Sequence, residues 1–173
     1  MGVTATTNSA ATYEPIATQT VTGSNVTRVT FNSISQSYTD LRLIAVVRDV
    51  NGYDVVEYNN DTANNYSRTY LWSNGTTVDS SNTYGDNGHY VGAETATNTF
   101  GSTIMDIMDY TNSTNWKSIL AKQSDTPQAF IGLFSYTHHT NDAITRLDIF
   151  GPAGATNSIA VGSTFTLYGI KAA

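Results

Sequence analysis

The sequence predicts an all-β protein, a single jelly-roll-like antiparallel β-sandwich. Three observations carry that expectation. Short runs of alternating apolar and polar residues recur along the chain, and no stretch has a helical period. Turn-forming Asn, Asp, Gly and Pro separate the runs. The polar residues suit strands: Thr, Ser and Asn fill about a third of the chain, alongside 11 Tyr.

The strongest run is Tyr38-Thr-Asp-Leu-Arg-Leu-Ile-Ala-Val-Val-Arg-Asp49. Side chains alternate along a strand, so Leu41, Leu43, Ala45 and Val47 share one wholly apolar face. The other face carries Arg42, Ile44, Val46 and Arg48, apolar in the middle and charged at its ends. Such a strand is central, buried on one side and partly covered on the other.

The remaining segments follow in order. Residues 1–14 form an extended N-terminal arm, Thr/Ala/Asn-rich and without period, and residues 15–173 form the sandwich domain. Pro15 suits an edge or a strand entry. Thr18–Thr22 and Val26–Phe31 read as two strands joined at Gly23-Ser-Asn25. Asn51-Gly52 is a hairpin signal, and Asp54–Tyr58 a short strand. Tyr66–Trp72 returns as a strand with Tyr66, Arg68, Tyr70 and Trp72 on one face. Residues 73–98 are the least regular, a long excursion or a pair of weak strands, and so long a loop points to function or an interface. Thr103–Tyr110 and Trp116–Lys122 pair across the loop 111–115. Ala129–Tyr136, Ala143–Phe150 and Phe165–Ile170 complete the set. Early and late strands must pair across the chain to leave few free edges, which favours a jelly roll over a meander.

Composition excludes several classes of function. Of 173 residues, 39% are apolar, enough for one core, and only 13% are charged. The net charge is −6 with no Lys/Arg cluster, so neither nucleic acid nor an anionic membrane is an expected partner. There is no cysteine, hence no disulfide and no thiolate metal site. No signal peptide is expected, since no basic region precedes an apolar run at the N-terminus, and no segment approaches the ~20 apolar residues of a membrane-spanning helix.

Sites of chemistry are sparse, and no catalytic residue, cofactor or metal site is expected. Asp106 and Asp109 are three apart and point to opposite faces of a strand. His138-His139, near Asp142, lacks a third ligand and reads as an exposed turn. The loop 59–65 offers oxygens without calcium-loop spacing and reads as an Asn/Asp turn. No Gly-x-Ser-x-Gly and no phosphate-binding glycine loop occurs. The aromatics Tyr66, Tyr70, Trp72, Tyr84, Tyr90 and Trp116 suit packing, a subunit interface or a sugar-stacking platform, with Tyr70, Trp72, Tyr84 and Tyr90 the candidates for interface or glycan contact.

Gly162-Ser-Thr-Phe-Thr-Leu-Tyr-Gly-Ile170 resembles the closing strand of a jelly-roll family of virion structural proteins of tailed bacteriophages. Tyr13-Glu-Pro-Ile-Ala-Thr-Gln-Thr20, Val29-Thr-Phe-Asn-Ser-Ile34, Tyr38–Leu43, Tyr58-Asn-Asn-Asp61 and Asn65-Tyr-Ser67 match in order, so the resemblance spans nearly the whole chain. It implies a non-enzymatic component of the virion. The family includes head decoration (cement) proteins and modules of tail fibres and baseplates. A chain with its own Met, little beyond one jelly roll and no coiled-coil heptads is expected to be a decoration protein. It would sit on the outer surface of the phage capsid and bridge major capsid subunits as a homotrimer. The expected contact is the arm, ending in Tyr13, Glu14, Pro15 and Ile16. The alternative is a tail-fibre or baseplate module that binds a host receptor or glycan.

Overall fold

A computed structural model describes residues 13–92, 96–125, 129–151 and 155–171. Among them are twelve strands and no helix. They are β1 (Tyr13–Thr20), β2 (Arg28–Phe31), β3 (Asp40–Val47), β4 (Asp54–Tyr58), β5 (Tyr66–Ser73), β6 (Val78–Asp86), β7 (His89–Val91), β8 (Gly101–Met108), β9 (Lys117–Ser124), β10 (Ile131–His138), β11 (Leu147–Phe150) and β12 (Thr164–Ile170). An eight-stranded sheet runs β1-β12-β3-β8-β9-β10-β5-β6, and a four-stranded sheet runs β2-β11-β4-β7. Every pairing between named strands is antiparallel.

The chain switches sheets as a sandwich requires. The first and last strands pair, β1 with β12, and β11 lies between β2 and β4. This order is compatible with a jelly roll. The small sheet, β2-β11-β4-β7, supplies one four-strand layer; β1-β12-β3-β8 supplies the matching four strands of the other, and β9, β10, β5 and β6 extend that layer beyond β8.

The alternation expected for Tyr38–Asp49 is present. Leu41, Leu43, Ala45 and Val47 are fully buried, while Arg42, Ile44 and Val46 face outward. Val29, Phe31, Val56, Leu147 and Ile149 from the small sheet join Met105, Ile107, Ile119, Phe134, Phe165 and Leu167 from the large one in a single core. Two glycines are fixed by close approach. A Cβ at Gly169 would collide with the Tyr38 ring, and a Cβ at Gly132 would collide with the ring of Phe134.

Several local expectations need correction. Gly23-Ser-Asn25 does not close a hairpin, because β1 belongs to the large sheet and β2 to the small one. Asn51-Gly52 does form a turn, but it carries the chain from β3 into the other sheet. Its backbone is set by Asp49, whose Oδ1 accepts from Asn51 N at 2.7 Å. β4 is buried at all five positions and needs cover on both faces, which a hairpin beside β3 would not give it. Residues 73–98 contain two strands, β6 at the edge of the large sheet and β7 at the edge of the small one. Of Ala143–Phe150 only Leu147–Phe150 is strand. β1 begins at Tyr13, so the last two residues assigned to the arm are paired within the sheet; residues 1–12 lie outside the described residues.

Candidate functional site

The two sheets differ in width, eight strands against four. The small sheet ends at β7, and the inner face of the large sheet continues beyond it onto β5. That face carries Tyr70 and Trp72, placed by register opposite Phe134 and Gly132 of β10. Gln123 of β9 lies opposite Gly132 on the other side. Inner-face residues with no facing layer form one wall of a cleft of about 380 Å³. Tyr53 just before β4, Tyr90 within β7 and Gly92 just after it form the other wall. Phe130, Phe134, Ser124 and Asp125 complete it.

The aromatic rings are paired. Tyr70 stacks on Phe134 at 5.4 Å, Trp72 on Phe130 at 6.2 Å, and Tyr53 meets Tyr90 at 4.5 Å. Gly132 makes this possible, since any side chain there would occupy the space of the Phe130 and Phe134 rings. Tyr90 is held from below. The Arg68 guanidinium lies 3.9 Å from its ring centre, donates to its hydroxyl at 3.0 Å, and is itself paired with Asp86. Burial raises the Tyr90 phenol above its usual range, with Arg68 opposing. Gln123 Nε2 donates to the Tyr90 carbonyl at 2.6 Å, and Tyr136 OH donates to the same oxygen at 3.1 Å. Phe130 is placed by reciprocal bonds: its N donates to Asp125 Oδ1 and its carbonyl accepts from Asp125 N.

This arrangement suits a small amphipathic ligand. The cleft has the size of ordinary small-molecule sites, with ring faces for apolar contact and a few fixed polar groups, Gln123, Ser124 and Asp125, to orient the guest.

Of the four aromatics singled out from the sequence, Tyr70, Trp72 and Tyr90 line this cleft. Tyr84 does not. It sits on β6, is 78% exposed, and its ring lies 5.2 Å from that of His139. Tyr53, Phe130 and Phe134 were not marked by the sequence pattern; Phe134 alternates with Tyr136 along β10, which signals burial and nothing more.

The outward face of the large sheet is a second surface of interest. Pairing places Ile44, Ile104, Lys122, Leu133 and Leu71 in one row across five strands. Val46, Leu120 and Ile131 flank it, and Leu71, Leu133 and Ile131 are each at least half exposed. Neither sheet covers this face. Tyr13 joins it: its ring meets Tyr168 edge-on at 6.4 Å and lies beneath the Arg42 guanidinium. Of the other arm residues proposed for contact, Glu14 is engaged with Tyr38 and Lys171, Ile16 packs against the core, and Pro15 is exposed beside a bulge.

The remaining titratable groups are tied into the fold. Asp106 forms a two-pronged pair with Arg42 across β3 and β8, at 2.5 and 2.8 Å. His138 is not in an exposed turn. It ends β10, is 1% exposed and bonds Asp61 Oδ2 at 2.9 Å. Burial lowers its pKa while Asp61 opposes. Asp61 also accepts from Asn65 Nδ2 and Ala63 N, so both carboxylate oxygens of the 59–65 loop are engaged within the protein. Burial works against the charge on Asp61, but these bonds and His138 together hold its pKa below the usual range. His89 is buried between Tyr58 OH and the Thr137 carbonyl, and burial lowers its pKa well below the ordinary value. Ser67 bonds His139, whereas Asp61 bonds His138, whose other ring nitrogen meets Thr140 Oγ1 at 3.2 Å, so Ser67 and Asp61 share no histidine. No three His, Cys, Asp or Glu side chains converge among them either.

Compared with family models, with curated proteins and with solved structures, the chain matches none.

Proposed function

We propose that this chain is a non-enzymatic virion structural protein of a tailed bacteriophage, and that it decorates the head by bridging major capsid subunits. The motif order described above suggests the class. The observation that carries the reading is the apolar outward face of the eight-stranded sheet. Covering aliphatic surface is favourable by about 25 cal/mol per Å², and this face offers rows of Ile, Leu and Val around the Arg42–Asp106 ion pair and Lys122. A neighbouring subunit that covers it stabilises the shell by mass action. Among the described residues β1 is an edge strand beside the same face, which supports a contact in which Tyr13 and Pro15 offer that edge to a capsid protein. A homotrimer would repeat this contact around a three-fold position of the shell.

Co-sedimentation of the purified protein with undecorated heads tests the reading. Saturable binding is expected, reduced by deleting residues 2–12 and by Leu133→Glu. Binding that neither change affects would refute these contacts.

A second reading is favoured by the aromatic cleft: a fibre or baseplate module that takes a host saccharide. It expects adsorption to host cells or a glycan that depends on Trp72. A glycan array with no hit, and unchanged adsorption by Trp72→Ala, would remove it.

A further inference from the structure

The turn between β3 and β4 buries two carboxylates that the protein leaves unsatisfied. Asp49 and Asp54 are both 0% exposed, as is Ser158, which reaches the same place from the segment between β11 and β12. Asp49 Oδ1 accepts from Asn51 N, but Asp49 Oδ2, both Asp54 oxygens and Ser158 Oγ have no hydrogen-bond partner. Among the described residues no Lys, Arg or His pairs with either carboxylate.

These oxygens converge. Asp49 and Asp54 lie within hydrogen-bonding reach of each other. A Cβ at Gly151 would collide with Ser158 Oγ and lie 2.7 Å from Asp49 Oδ2, so the hydroxyl and that carboxylate share one small space beneath the glycine. The backbone holds the two segments in register, with Val50 N donating to the Ser158 carbonyl at 2.9 Å and Asp49 bridging Ile159.

A buried charge without a partner is among the costliest features a fold can carry. Burial first, and the neighbouring Asp49 second, push the Asp54 carboxyl well above its usual range. One shared proton would join the two carboxylates yet leave the other Asp54 oxygen and Ser158 Oγ unmet. A divalent cation bound beside Asp49, which Asp54 and Ser158 both adjoin, would give these atoms a partner.

We propose that Asp49 Oδ2, the Asp54 carboxylate and Ser158 Oγ form a binding site for calcium. The donors are all oxygen, two of them anionic, with neither imidazole nor thiolate. Such a set suits a hard cation. A partial set of protein oxygens suits calcium, which accepts six to eight oxygens in flexible geometry, better than magnesium, which requires a near-ideal octahedron. Backbone carbonyls and water would supply the remaining positions. The cation would pin the crossover between the sheets to the β11–β12 segment. It would also fix Tyr53, one residue before Asp54, where that ring lines the aromatic cleft. The site is independent of whether the protein belongs to the head or to the tail.

The test uses the whole chain after exhaustive dialysis against a chelator, titrated with calcium chloride by calorimetry and by thermal unfolding. Binding of one calcium per chain is expected, with a rise in Tm of about 5–10 °C at a hundredfold excess over Kd. Asp54→Asn is expected to weaken binding at least tenfold. Ser158→Ala, a smaller change, keeps the question answerable should Asp54→Asn not fold, and should weaken binding several-fold. No heat and no Tm shift in the wild-type protein would overturn the proposal. So would calcium binding that both variants retain in full.

Discussion

The Tyr38 ring lies flat against Gly169. A Cβ on Gly169 would fall on the ring's Cγ and both Cδ atoms, and the tyrosine hydroxyl donates to Glu14 Oε2 at 3.1 Å. Lys171 closes the group by pairing with Glu14 at 3.0 Å. Three segments far apart in the chain therefore meet at one end of the β1-β12-β3 edge. An aromatic ring that covers a strand glycine is a known means of stabilising a sheet at that position. Gly169→Ala should cost about 1–3 kcal/mol by overpacking, read as a lower midpoint in denaturant unfolding. In Tyr38→Ala the added methyl has room, so the double variant should lose less than the sum of the two single losses. Additive losses would show that the contact does not constrain the fold.

The aromatic cleft gives a paired expectation. Trp72→Ala removes part of its wall, while Tyr84→Ala, on the exposed side of β6, leaves it intact. If the cleft takes a saccharide, the first change should abolish glycan adsorption and the second should not alter it. Equal loss in both would move the binding surface out of the cleft.

Acid should act through His89, whose pKa is lowered by burial. The unfolded chain then binds a proton that the folded chain refuses, so stability from this group is complete above about 6.5 and falls as pH drops below it. Glu57 is raised by burial and titrates with the opposite sign, so the comparison is made against His89→Gln. The variant should be less stable than wild type at pH 7.5, and the gap should shrink by pH 5. A gap that is constant across that range would show that His89 does not titrate in this window.

Leu133→Glu tests the outward face without disturbing the fold. Residue 133 is half exposed and stands opposite Lys122 in the β9–β10 register, so the new carboxylate gains a cross-strand partner. Stability should change by less than about 0.5 kcal/mol, while attachment to heads should fall at least tenfold. A large loss of stability would mean that the side chain is needed for folding and not for contact.

The sequence made part of this structure legible. Alternation alone placed β3, β8, β9, β10 and β12, because one buried face imposes period two on the side chains. The same logic failed where partner choice depends on distant parts of the chain. Asn51-Gly52 has the chemistry of a hairpin, yet β4 is buried on both faces and must leave the sheet that holds β3. His138 lies in a polar stretch, and only the fold reveals that Asp61, far away in sequence, receives it. The cleft was half visible. Tyr70 and Trp72 share a strand face, but the unequal widths of the sheets, which leave that face uncovered, are a property of the assembled topology.

The most direct test of the account is quantitative co-sedimentation of the purified protein with undecorated phage heads. Saturable binding at hundreds of copies per head is expected, with attachment lost in Leu133→Glu. No attachment to heads, with binding to tails or host cells instead, would contradict it and assign the protein to the fibre or baseplate.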